Sequence, residues 1–97
     1  MASLGLLGLN IPDKYGGRKT DFVTMGIAME EIAKGDFNCV LPMMMAAYAG
    51  HALCDYGNEG QRQQWLPSIT RGELLLAAGA TEPGAGSDLT SLRATAV

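Results

Sequence analysis

The run from Cys39 to Tyr56, "CVLPMMMAAYAGHALCDY", constrains this chain more than any other stretch. Capping residues in "DFN" precede it and Gly57 follows it, so it reads as one helix. Pro42 disfavours helical geometry at Leu41, which places the start of regular helix at Pro42. The helix is apolar almost all the way round, and such a helix is expected to be buried on more than one side. A chain of 97 residues has room for one small domain that buries only about two thirds of its unfolded surface. The expectation is therefore a fragment, or a protomer that must associate. The apolar part, Cys39 to Leu53, is interrupted by Pro42, Gly50 and His51 and falls short of the ~20 residues that cross a bilayer, so no membrane span is expected.

Charge narrows the function classes. Seven basic against ten acidic residues give a net charge of −3, and the basic residues form no run, which argues against a nucleic-acid surface. No basic stretch leads into a signal-like apolar segment, so the expected location is the cytoplasm, or the mitochondrial matrix in a eukaryote. Cys39 and Cys54 lie 15 residues apart on the same expected helix, roughly 22 Å at ~1.5 Å per residue, beyond disulfide reach. His51 and Cys54 share a helical face, but one imidazole and one thiol do not complete a metal site. Two small buried thiols are the simpler account.

The remaining elements follow from local signals. Leu4 to Asn10 has the look of a helix tail loosened by Gly5 and Gly8, followed by a loop, "IPDKYGG". Asp21 caps an amphipathic helix whose stripe is Phe22, Met25, Met29 and Ile32, stopped by Gly35. Asn58 and Gln61 have capping-box spacing at the start of a third helix, with Trp65, Leu66 and Ile69 on its apolar face and Pro67 kinking or ending it. The run "LLLAAGA", Leu74 to Ala80, then reads as a strand buried on both faces, and "SLRATAV" begins to alternate like another. A mainly helical domain over residues 1–72 is expected to lead into the first strands of a β-domain over residues 73–97.

Between those strands lies "TEPGAGSD", Thr81 to Asp88. Gly84 and Gly86 let a backbone approach a ligand closely, Thr81 and Ser87 offer hydroxyls, and Asp88 caps whatever turn follows. "GAG" falls short of a dinucleotide fingerprint, which needs a third glycine opening a helix. By composition alone a plain turn is the better account.

The same stretch, as "ATEPGAGSD" after a strand and after "Q-x-x-x-x-L-P-x-x-x-x-G-E", resembles the flavin-binding signature of the acyl-CoA dehydrogenase family. Three further pieces match in the family's order: "GLLGLNIPDKYGG", "MEEIAKGD" and "YGNEGQRQQWLP". The resemblance covers nearly the whole chain. It implies a fold in which antiparallel helices of the N-terminal domain precede a middle β-domain and a C-terminal helical bundle, in dimers or tetramers. It also implies FAD as hydride acceptor, an acyl-CoA substrate oxidised to 2-enoyl-CoA, and an electron-transferring flavoprotein as electron acceptor.

Carried over residue by residue, Ala78, Ala80, Thr81, Gly86 and Ser87 fall in the first FAD-binding stretch, with Thr81 bonding the flavin ring through its side chain. Ser87 also falls where the substrate's thioester arm comes close. Position 78 is often aromatic in the family and is alanine here. Val40, Leu41, Met44 and Tyr48 match positions that line the family's acyl pocket, and their spacing puts them along one helical face. Met44 and Tyr48 are the stronger candidates, because a thioether and an aromatic shape the end of a slot.

The family's second flavin motif, W-[IS]-[TS], and its catalytic base are not within these residues. Glu30, Glu31, Glu59, Glu73 and Glu82 read as solvated surface or loop, so no catalytic residue is nominated. Two other accounts stand beside the dehydrogenase: a non-catalytic helical interaction module descended from that family, and an acyl-CoA oxidase-type flavoenzyme.

Overall fold

A computed structural model describes residues 1–96. Its three α-helices are α1 (Phe22–Gly35), α2 (Val40–Tyr56) and α3 (Glu59–Thr70). The helical class expected from sequence holds. Asp21 caps α1 by accepting the Thr24 amide at 2.7 Å. Asn58 and Gln61 form the full reciprocal capping box of α3, each contact at 2.9 Å.

The core is not where helix periodicity alone would put it. Leu7, Leu9 and Ile11, from the N-terminal segment, wedge against Met43 and Ala46 of α2 and Leu66 and Ile69 of α3. That segment is no helix tail: it consists of short 3₁₀ turns, Ala2–Leu4 and Leu6–Gly8, separated by left-handed Gly5. The "IPDKYGG" loop then doubles back, so that the amides of Arg18, Lys19 and Thr20 donate to the carbonyls of Gly8, Ile11 and Leu9. This reversal requires glycine at 17, where a Cβ would sit 1.9 Å from the Ile11 carbonyl oxygen. Buried Tyr15 anchors the loop to α3 by donating its hydroxyl to both carboxylate oxygens of Glu59, at 2.8 and 3.0 Å.

Pro42 corrects the sequence expectation, and Pro67 does not end its helix. Helix α2 begins at Val40, so Leu41 is helical and Pro42 sits in the first turn. Amides there have no partner within the helix, and a missing N–H costs little. Pro67 lies inside α3, which continues to Thr70. Leu66 and Ile69, almost wholly buried, hold that last turn against the core.

Helix α2 is covered on one face only. Val40, Met43, Ala46, Ala47 and Gly50 are buried, while Leu41, Met44 and Tyr48 face outward, Tyr48 at 64% exposure. The expectation of burial on several sides is not met within these residues. The Cα radius of gyration, 14.5 Å, exceeds the ~12.5 Å of a self-contained domain of this length. With its preceding 3₁₀ turn, the helical path Phe37–Tyr56 reaches 20 residues, long and apolar enough by length and composition to cross a membrane. The apolar part read from sequence, Cys39 to Leu53, is the shorter inner portion of this path. Its buried face is nonetheless part of the core, and Asn10 donates to the Ala47 carbonyl at 2.9 Å.

Neither expected strand forms among the described residues. Leu74 to Ala80 runs without ladder bonds and largely exposed, Leu75 at 79%, although Leu76 packs against the core. A strand exists only by pairing, and no described segment lies alongside this one. The second expected strand, from Ser91 to Ala96, is likewise unpaired, and Val97 lies outside the described residues. Cys39 is exposed at the end of a 3₁₀ turn, not buried, because it precedes the helix; Cys54 is half-buried, and burial raises its thiol pKa.

Candidate functional site

Helices α1 and α2 form a hairpin, and an apolar groove of about 520 Å³ lies between them. Its α1 wall is Phe22, Met25 and Met29, three members of the predicted apolar stripe. Met44 and Tyr48 line its α2 wall, together with His51 and Tyr56 further along. Four methionines, Met25, Met29, Met44 and Met45, leave a deformable, polarisable surface that adapts to the shape of what fills it. The Phe22 and His51 rings meet edge-to-face, centroids 5.6 Å apart at 74°.

A second groove, about 560 Å³, runs between α2, α3 and the extended segment Leu76–Ala80. Ala78 and Ala80 line it opposite Tyr48, Tyr56 and Trp65. Tyr48, Ala52 and Tyr56 line both grooves, so one strip of α2 separates the two spaces. The strip follows from a four-residue repeat, which places all three side chains on one helical face.

The loop after Ala80 is held by its acids. The backbones of Glu82 and Ala85 exchange both hydrogen bonds at 3.0 Å around "PG", and Ala85 is buried. Both Glu82 carboxylate oxygens accept backbone amides, from Arg93 and Ala94, at 2.9 Å. Asp88 caps the following 3₁₀ turn, Leu89–Ser91, accepting from Thr90 and Ser91. Those contacts, that of the Ser91 hydroxyl first, hold its carboxyl below the usual range. Among the described residues no hydrogen bond engages the Thr81 or Ser87 hydroxyl, and both residues are exposed. A Cβ on Gly79, Gly84 or Gly86 would meet no atom within 4 Å. The turn is therefore closed without the two hydroxyls, which face open space together with its glycines.

The predicted acyl-pocket residues separate. Met44 and Tyr48 share the α1–α2 groove. Leu41 instead lines a smaller groove with Pro42, Met45 and Leu74–Leu76, and Val40 is buried in the core. Around α2 the four span an arc of only about 100°, so it is the neighbours at the start of the helix, Leu74–Leu76 beside Leu41 and the core around Val40, that part them. Of the predicted flavin residues, Ala78 and Ala80 line the second groove, while Thr81, Gly86 and Ser87 lie on the exposed loop.

Sequence reasoning missed Tyr56, Trp65 and His51 as groove residues. Tyr56 stood at the same spacing from Tyr48 as Tyr48 from Val40, and that repeat was the available signal. Glu59 and Glu82 also prove structural rather than merely solvated, Glu59 accepting from the Tyr15 hydroxyl and the Gln63 amide and Glu82 from two backbone amides. Among the described residues no cluster of three metal-ligating side chains occurs.

The family model described as acyl-CoA dehydrogenase, N-terminal domain, matches residues 1–73. The chain is 36% identical over 93 residues to acyl-CoA dehydrogenase FadE12 of Mycobacterium tuberculosis, which covers 96% of this chain and 24% of that protein. It is 35% identical over 97 residues to (2S)-methylsuccinyl-CoA dehydrogenase of Cereibacter sphaeroides, covering 100% and 18%. With the human mitochondrial short-chain specific acyl-CoA dehydrogenase it shares 34% identity over 98 residues, covering 99% and 24%. Among solved structures, the prolyl acyl carrier protein oxidase AnaB superposes with a TM-score of 0.82 at 33% identity, covering 95% of this chain and 25% of that one. The chain thus spans about a quarter of the length of most of these relatives. It belongs to the acyl-CoA dehydrogenase family, and its residues 1–73 match that family's N-terminal domain.

Proposed function

We propose that this chain supplies the helical wall and first flavin loop of an FAD-dependent acyl-CoA dehydrogenase, which oxidises acyl-CoA to 2-enoyl-CoA. The observation that carries the proposal is the strip Tyr48–Ala52–Tyr56, which lines both the α1–α2 groove and the groove under Ala78–Ala80. One element thereby places an apolar space suited to an acyl chain next to the segment that resembles a flavin site. Residues 1–72 act as part of an N-terminal helical domain and residues 73–97 as the opening of a β-domain. FAD, when bound, supplies the hydride acceptor.

The chain's own residues fit such a group. Thr81 and Ser87 present unengaged hydroxyls, and the space beside Gly79, Gly84 and Gly86 is open to a bulky ring or phosphate. Thr81 orients the flavin, Ser87 lies toward the thioester arm, and Ala78, Ala80 and Gly86 let the cofactor approach the backbone. Met44 and Tyr48 shape the acyl slot, with Leu41 and Val40 acting through the packing behind it. The carboxylate that takes the α-proton is not among these residues. Electrons then pass to an electron-transferring flavoprotein, and the subunits form a homo-oligomer that covers the outward face of α2. The bacterial and mitochondrial names of its relatives favour the cytoplasm or the mitochondrial matrix.

The oxidase resemblance supports a second reading, in which dioxygen re-oxidises the flavin or a carrier protein presents the acyl group. Both readings use the same groove. The test is Met44→Ala in a longer protein containing this chain, with kcat/KM measured across straight and branched acyl-CoAs. Removing the thioether should shift preference towards longer or bulkier chains, by ~1–3 kcal/mol per methylene. A uniform fall with the substrate order unchanged would make Met44 a packing residue and place the pocket elsewhere.

A further inference from the structure

We infer that His51 is a specificity-determining residue of the α1–α2 groove, selecting acyl chains that carry a hydroxyl group; this rests on the acyl role proposed for that groove. The groove is lined by methionine, alanine and aromatic side chains, and His51 brings the one imidazole of that lining, a group that can both donate and accept hydrogen bonds. Its ring reaches from α2 to the edge of Phe22 on α1, so a chain lying between the helices passes it. An oxygen of Asp55, one turn further along α2, lies 3.4 Å from Nε2, and among the described residues no hydrogen bond engages Nδ1, which is left for a ligand.

A plain hydrocarbon laid against this imidazole would strip its water and return no hydrogen bond. A hydroxyl would restore one. The Asp55 carboxylate disfavours an anionic chain end beside it, which sets a hydroxyl above a carboxylate. Sites built to hydrogen-bond a substrate group discriminate against analogues that lack it.

The experiment compares kcat/KM for hexanoyl-CoA, ω-hydroxyhexanoyl-CoA and hexanedioyl-CoA in the longer protein, as wild type, His51→Leu and His51→Gln. The wild type should favour the hydroxylated chain. His51→Leu should cut that preference about twofold to tenfold, the worth of one net hydrogen bond, and His51→Gln should retain part of it. An unchanged ratio in His51→Leu overturns the inference, as does a wild-type preference for the dicarboxylic chain alone. If Met44→Ala reorders chain lengths while His51→Leu is silent, only this inference falls. Turnover of other acyl-CoAs but none of these three overturns the inference alone, and failure across the whole straight and branched series removes the proposed function with it.

Discussion

Glycine to alanine at two helical positions tests how the N-terminal segment packs. In α2, a Cβ on Gly50 would lie 2.8 Å from Cγ1 and 3.1 Å from Cδ1 of Ile11. Ordinary carbon contacts begin at ~3.5 Å, so the shortfall reaches about 0.7 Å. Ile11 is 0% exposed, its carbonyl accepts the Lys19 amide at 2.9 Å, and neighbouring Asn10 is tied to Ala47. It cannot withdraw without moving the whole reversal. Overpacking of this kind costs ~1–3 kcal/mol, against ~1 kcal/mol gained by replacing a mid-helix glycine with alanine. Gly50→Ala should therefore range from neutral to about 2 kcal/mol destabilising. In α1, a Cβ on Gly26 meets nothing within 4 Å. Gly26→Ala should stabilise by ~0.5–1 kcal/mol. The difference between the two variants isolates the steric contribution. Thermal melts read it well, since 1 kcal/mol moves the midpoint of a domain this size by ~4–8 °C. Equal rises in Tm for both variants would refute the packing of Ile11 onto α2.

Three further outcomes follow from the site and its anchors. Thr81→Val, in a longer protein containing this chain, should weaken flavin binding by ~0.5–1.5 kcal/mol while the apo form melts unchanged; equal losses in both forms would make the hydroxyl structural. Acidification should destabilise the loop anchored on α3, because donation from the Tyr15 hydroxyl, then Gln63, holds the Glu59 carboxyl below its ordinary 4.5. A depressed carboxylate stabilises the fold above its unfolded pKa, and that contribution disappears as pH falls through the lower, folded value. Tyr15→Phe should flatten the acid limb of a Tm-against-pH curve below about pH 4.5, and an unaltered limb would count against the contact. Gly17→Ala should disrupt the reversal outright, since its Cβ would overlap the Ile11 carbonyl; an unchanged circular dichroism spectrum and melt would contradict the loop geometry.

Local chemistry was legible in the sequence wherever a side chain acts on its own backbone neighbours. Asp21, Asn58 with Gln61, and Asp88 cap the turns their spacing announced, because a cap needs only residues three positions away. The four motifs that resembled the family were equally local; the match over residues 1–73 agrees with the first three, and "ATEPGAGSD" lies beyond it. What sequence could not settle was anything that depends on a neighbour far along the chain. "LLLAAGA" has strand composition, yet a strand is a pairing, and no described segment pairs with it. Pro67 reads as kinking or ending its helix, and burial of Leu66 and Ile69 carries α3 past it. The apolar surface of α2 shows no preferred side in its composition. Only the wedge of Leu7, Leu9 and Ile11 decides that Met43 and Gly50 face inward, leaving Met44 and Tyr48 turned to the groove. That choice is tertiary because it turns on which apolar surface meets which, and a helix apolar on every side is compatible with several.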